Sequence, residues 1–177
     1  MSIKNKHAAE LVDLRKQAND FLKTNYSLML DIPLVVNNRL RSTIGSLVLQ
    51  KEEPELIELS GMLMKYGSEA FKLDVLKHEL IHYALNTLGK PYHDGHPYFE
   101  NELKKHGVGS SGEGFLGEML KFECPKCSEI GYTENKRAMK NPSGFKTVCC
   151  GGDLIGISIV IFDGEKIIDE RLLEDEK

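Results

Sequence analysis

The longest regular pattern lies near the start of the chain. Between about residues 6 and 26, apolar side chains recur at helical spacing, and Leu11, Leu14, Ala18, Phe21 and Leu22 share one stripe. This spacing predicts an amphipathic packing helix. Three short runs follow, at residues 32–36, 46–50 and 56–60, each read as a strand, with Asn37 and Asn38 supplying turn chemistry after the first. Ser60 stands where it can cap a helix. Residues 69–88 form a long helical stretch, stopped by Gly89 and Pro91. Residues 91–95 read as a loop and 99–105 as a further helix, closed by His106 and Gly107.

From Gly107 to Gly117 there are five glycines and two serines, the composition of a flexible linker. Beyond it the period changes. Short strand-like pieces surround four cysteines, apolar alternation runs over residues 154–162, and Asp163-Gly164 marks a hairpin turn. The acidic end, residues 172–177, is expected to fray. The pattern predicts an α+β protein: a domain over 1–107, a linker over 108–117 and a small β domain over 118–177.

Composition narrows the function classes. Hydrophobic residues make up 41%, enough to bury a core, so disorder is excluded as the default. The formal net charge is -4, so a nucleic-acid role would need a local basic patch. The first residues lack the apolar core of a signal peptide, and no apolar run approaches the roughly 18 residues of a membrane span. These features predict a soluble, cytoplasmic protein with no membrane partner, and none of them specifies an oligomeric state. In a reducing compartment, cysteines clustered between Cys124 and Cys150 point to metal before disulfide.

The strongest chemical signal is His78-Glu79-Leu80-Ile81-His82. Histidines four apart on a helix share a face, one turn apart, and can grip one ion. Glu79 follows the first ligand directly and can reach a water on that ion, taking its proton and later delivering it. Two surface histidines beside an incidental glutamate would be the bland alternative. The flanks Val75, Leu76, Leu80 and Ile81 argue against it, because polar groups buried in an apolar helix without a metal are costly. A catalytic zinc also needs a third protein ligand and an open position. His96, just ahead of the next helix, is the favoured candidate; His93, Asp94 and Glu100 are its substitutes.

A second constellation is Cys124-Pro125-Lys126-Cys127 with Cys149-Cys150 some twenty residues later. Two cysteine pairs around a hairpin-length insert read as a zinc ribbon, with a structural metal that supplies much of the folding energy. The second pair lacks the usual two-residue spacer. Either both cysteines bind in an unusual geometry, or one binds and another group completes the shell.

The order of these pieces resembles the SprT-like family, whose eukaryotic members include the Spartan proteases. The resemblance rests on Asn38-Arg39-Leu40-Arg41-Ser42-Thr43-Ile44-Gly45, on Ile57-Glu58-Leu59-Ser60, and on Leu76 through Tyr83. It continues in Asp94-Gly95-His96-Pro97-Tyr98-Phe99-Glu100, in Leu103-Lys104-Lys105-His106-Gly107 and in the Cys-Gly-Gly ending of the ribbon. It implies a zincin-like domain, a short sheet packed on helices, with His78 and His82 as zinc ligands and Glu79 as general acid/base. Phe99 matches the aromatic residue that opens the helix after the family's third histidine, although the spacing from His96 is shorter than usual. The expected cofactors are two zinc ions, one catalytic and one structural. The expected partner is a protein or peptide substrate.

Similarity to Spartan implies substrates bound or crosslinked to DNA. Lys121, Lys126, Lys136, Arg137, Lys140 and Lys146 outnumber Glu123, Glu129 and Glu134 around the ribbon, which keeps DNA a candidate partner there. The competing function is a non-catalytic DNA- or protein-binding zinc module acting as a regulatory factor.

Overall fold

Helix α1 (Ile3–Tyr26) covers the whole N-terminal periodic stretch and buries Leu14, Ala18 and Leu22 along one stripe. The structure is a computed structural model that describes residues 3–41, 43–109 and 115–173. The chain divides into two compact units, Met1–Gly114 and Phe115–Lys177.

In the first unit, Arg15 ties α1 to the segment that follows it. Its guanidinium donates to Leu30 O at 2.7 Å and Ile32 O at 3.0 Å, while Asn19 Oδ1 accepts from Leu30 N at 2.9 Å. That segment leads into β1 (Leu34–Asn37). Strands β2 (Gly45–Gln50) and β3 (Glu53–Ser60) form a hairpin, and β1 joins parallel to β3, so the sheet order is β1-β3-β2. The hairpin turn puts Lys51 and Glu52 at φ 53° and 69°. Two consecutive left-handed residues match the twist of the flanking strands. Strand β2 is therefore an edge. Ser60 N donates to Ile44 O at 2.8 Å, and in an antiparallel ladder that phase turns the backbone groups of Gly45 and Leu47 away from β3.

Ser60 caps α2 (Gly61–Tyr66), accepting from Leu63 N at 3.1 Å. Ser68 caps α3 (Glu69–Thr87) in the same way through Phe71 N. Helix α3 packs against α1, β2, β3 and α4, which explains its near-continuous apolar sequence. Helix α4 (Pro97–His106) has Pro97 in its first turn and ends at Gly107, whose φ of 64° is the left-handed cap that glycine adopts freely. Phe99 and Leu103 of α4 close a core with Ile81, Leu85 and Val108.

The second unit is an antiparallel sheet of β4 (Leu116–Glu123), β5 (Ile130–Thr133), β6 (Ile155–Asp163) and β7 (Ile167–Leu172), in the order β5-β4-β6-β7. Two features depart from the sequence expectation. β4 starts at Leu116, inside the stretch read as linker, of which residues 110–114 lie outside the described set. A short helix α5 (Lys136–Lys140) also interrupts the ribbon. Asn135 starts it by accepting from Arg137 N and Ala138 N, and Ala138 then packs with Leu120, Leu154 and Ile159. One turn of helix is too short to leave a period in the sequence. Helices and sheets are mixed in a way compatible with the α+β class. Among the described residues no helix is long and apolar enough to cross a membrane.

Candidate metal centres

Helical spacing alone puts His78 and His82 on one face of α3. Their Nε2 atoms lie 3.1 Å apart, close to the roughly 3.3–3.4 Å that two nitrogens subtend in a tetrahedron around zinc. The other ring nitrogens decide the chemistry. His78 Nδ1 meets Gly109 O at 3.3 Å and His82 Nδ1 meets Tyr92 O at 2.5 Å. A carbonyl oxygen only accepts, so both Nδ1 atoms carry the proton and both Nε2 lone pairs face the shared space. Burial pushes His82 below its usual pKa, against the opposing pull of the Tyr92 carbonyl. Phe99, fully buried, stacks on His82 at 4.1 Å and 19° and meets His78 edge-on at 5.3 Å, so α4 fixes both rings.

The loop before α4 completes the group. Asp94 Oδ1 approaches His78 Nε2 at 3.2 Å and His82 Nε2 at 3.5 Å. The acceptor atoms of His78, His82 and Asp94 thus converge in one place. Three lone-pair bearers at these distances repel one another unless a cation lies between them, so the donor set fits a divalent metal. His96, the residue favoured from sequence, is not among them. Its Nδ1 accepts from Tyr98 N at 3.1 Å as the cap of α4, so its ring turns along the helix start. His93 lies against Tyr92 at 4.2 Å, and Glu100 accepts from Gly95 N at 2.9 Å.

Glu79 is buried beside this group. Burial pushes its carboxyl up to about 7, the Leu47 N–H of the β2 edge pulls the other way, and the Asp94 charge adds to the rise. Gly45 makes room for it, because a Cβ there would stand 2.8 Å from Val75 Cγ1 and 3.0 Å from Glu79 Oε1.

In the second unit all four cysteine sulfurs converge and none is disulfide-bonded. The Sγ separations are 3.3 Å for Cys124–Cys150, 3.5 Å for Cys127–Cys149 and for Cys127–Cys150, and 3.9 Å for Cys149–Cys150. Sulfurs around a tetrahedral zinc stand about 3.8 Å apart, whereas a disulfide needs about 2.05 Å. Both adjacent cysteines therefore bring a sulfur into the cluster.

The backbone shows how. Cys124 N donates to Glu129 O at 2.9 Å and Ser128 N to Cys124 O at 2.8 Å. The second turn repeats this pattern, with Thr147 N to Gly152 O at 2.8 Å and Gly151 N to Thr147 O at 2.9 Å. Ser128 and Gly151 are both left-handed, at φ 56° and 63°. Thr147 thus occupies the place of the first cysteine in a Cys-x-x-Cys turn, Cys150 the place of the second, and Cys149 supplies the remaining sulfur from between them.

The Thr147 hydroxyl donates to Cys124 Sγ at 3.1 Å and holds that thiol well below its ordinary pKa, at about 5. Gly152 admits the same sulfur, since a Cβ there would lie 2.9 Å from it. Sequence reasoning missed Thr147, although Thr147-x-x-Cys150 has the spacing of Cys124-x-x-Cys127. It also missed Leu47 and Gly109, which act through backbone atoms and leave no signal in side-chain patterns.

The SprT-like family matches residues 11–106. A "Protein SprT-like" of Bacillus cereus is 33% identical over 129 residues, covering 70% of this chain and 81% of the relative. One from Geobacillus is 30% identical over 128 residues, covering 67% of this chain and 77% of the relative. No solved structure matches. A family match spanning both helices of the His78–His82 centre, joined to relatives of this coverage, leads to one conclusion: the chain belongs to the SprT-like family.

Proposed function

We propose that this chain is a zinc-dependent metalloendopeptidase of zincin-like architecture that hydrolyses peptide bonds in the cytoplasm, where its thiols stay reduced. The observation that carries the reading is the paired Nε2 atoms of His78 and His82, 3.1 Å apart, beside the buried carboxyl of Glu79. Zinc held by His78 and His82 would supply Lewis acidity toward a carbonyl and would acidify a water. Glu79 takes the water's proton at its carboxylate and returns it to the leaving nitrogen. A carboxyl poised near neutral serves both directions. Tyr92 and Gly109, through their carbonyls, keep the imidazole lone pairs aimed at the ion. The outward-facing groups of the β2 edge lie beside Glu79, where an extended peptide can add as a further strand.

The test is Glu79→Gln. We expect proteolysis of a labelled, unfolded protein substrate to fall by about 10²–10⁴-fold with bound metal retained. Undiminished cleavage by that variant rejects the mechanism.

A second reading makes the cysteine unit a zinc-stabilised module that binds DNA. Phe115, Tyr132 and Phe162 gather with ring centroids 5.1–5.6 Å apart, and Tyr132 pairs across the strands with Lys121. Aromatic rings beside basic residues are the parts of a single-strand platform. Much of the basic surplus is already engaged, however: Lys121 pairs with Glu170, Lys136 with Glu118 and Lys146 with Asp153. Salt-dependent binding of a single-stranded oligonucleotide that is lost in Tyr132→Ala supports this reading. Absence of binding at low salt removes it.

A further inference from the structure

The sequence holds four candidates for the third metal ligand within eight residues, and the fold treats them differently. His96 has its Nδ1 committed to Tyr98 N, and Glu100 has a carboxylate oxygen committed to Gly95 N. His93 lies against the Tyr92 ring. Asp94 alone sends an oxygen to both imidazoles, at 3.2 and 3.5 Å. The turn that presents it is built for the purpose. His96 N donates to His93 O at 3.1 Å, and Gly95 adopts φ 75°. The Glu100 carboxylate, projecting back from the first turn of α4, pins the Gly95 N–H. His96 and Glu100 therefore act on the loop that carries Asp94.

We propose that Asp94 is the third protein ligand, so that the centre is two imidazoles and one carboxylate, with His96 and Glu100 as positioning residues. The inference rests on the reading of His78 and His82 as metal ligands. The Asp94 side chain is 63% exposed, which leaves the side opposite the buried histidines open for water and substrate, as a catalytic site requires. Oxygen from a carboxylate completes a zinc set as readily as a third nitrogen does. The short carboxylate of Asp94 already reaches both rings from its loop, whereas an imidazole at position 96 is held along the start of α4.

The test uses the full chain, reconstituted with zinc alone, freed of excess, and assayed for metal content by elemental analysis. Affinity is read by competition with a chromogenic chelator. Circular dichroism and the retained cysteine-bound metal serve as internal controls for folding. We expect two equivalents in the wild type and one in His78→Ala. Asp94→Ala should fall to one as well, Asp94→Asn should bind the second equivalent at least about tenfold more weakly, and His96→Ser, which can still cap α4, should keep two. If His78→Ala loses an equivalent while Asp94→Ala does not, or if His96→Ser loses one, this assignment is wrong and the peptidase reading stands. If His78→Ala loses none, the metal reading fails and takes this assignment with it.

Discussion

The hydroxyl of Thr147 lies 3.1 Å from Cys124 Sγ and stands, in the second cysteine turn, where Cys124 itself stands in the first. The two turns share their backbone hydrogen bonds and a left-handed fifth residue, and differ in which position carries the sulfur. Cys149 makes up the difference from the middle of its turn. Cys149→Ser should therefore cost one bound zinc, and Thr147→Cys added to it should restore that zinc by rebuilding the regular pair. Elemental analysis of the single and double variants decides the matter. A double variant that stays at the level of Cys149→Ser would show that the two turns are not equivalent.

Gly45 and Glu79 make a second testable contact. A methyl at position 45 would press on Glu79 Oε1 at 3.0 Å and Val75 Cγ1 at 2.8 Å. Gly45 is an edge-strand residue away from the imidazoles, so Gly45→Ala should lower kcat for peptide hydrolysis by about tenfold or more, as small misplacements of reacting groups do. Its metal content should equal that of wild type. Steady-state kinetics beside metal analysis check this, and an unchanged kcat would mean that the strand yields to the methyl.

Phe99 joins stability to site geometry. It is fully buried among Ile81, Leu85 and Leu103 and stacks on His82. Phe99→Ala should destabilise the protein by about 3–5 kcal/mol. Phe99→Leu keeps most of the volume but loses the ring contact, so it should cost less stability while weakening zinc binding. Urea unfolding and chelator competition on the two variants separate the effects. Equal zinc affinity in Phe99→Leu and wild type would assign Phe99 to packing alone.

Acid should loosen α4. Tyr26 of α1 donates to Glu102 Oε2 at 3.0 Å, and His106 Nε2 lies 3.4 Å from the same oxygen between the rings of Phe21 and Tyr26. Burial pushes His106 below its usual pKa, with Lys105 and Lys77 adding to the fall and Glu102 opposing it. Burial alone would raise Glu102, but Tyr26, Lys105 and His106 outweigh it and hold the carboxyl low.

The signs agree. A histidine with a depressed folded pKa binds its proton first in the unfolded state, so stability falls as the pH drops below about 6.5. The depressed carboxyl adds a further loss below about pH 4.5. Stability measured by urea should therefore drop between pH 7.5 and 5.5, and His106→Phe should shrink that drop. An undiminished drop in the variant would place the titration elsewhere.

How much was legible beforehand follows from the range of each interaction. The α1 stripe, the long α3 and the His78–His82 pair are set by spacings of three and four residues, and a helix converts such spacings into a shared face wherever it forms. Ser60 as a cap, Gly107 as a helix stop and the cysteine cluster are local in the same sense. The short α5 left no period, and the Lys51-Glu52 turn carries none of the usual glycine or asparagine signal.

Which of His93, Asp94, His96 and Glu100 meets the His78–His82 pair was beyond the sequence, because the path of the loop before α4 depends on Tyr98, Glu100 and the packing of Phe99. The convergence of both Cys149 and Cys150 on the sulfur cluster likewise depended on a turn that brings Thr147 against Cys124 from 23 residues away. Periodicity determined which residues share a face of α3. Only the tertiary fold, by bringing loop backbone and distant carbonyls into hydrogen-bond range, decided which of the neighbouring candidates faces the site.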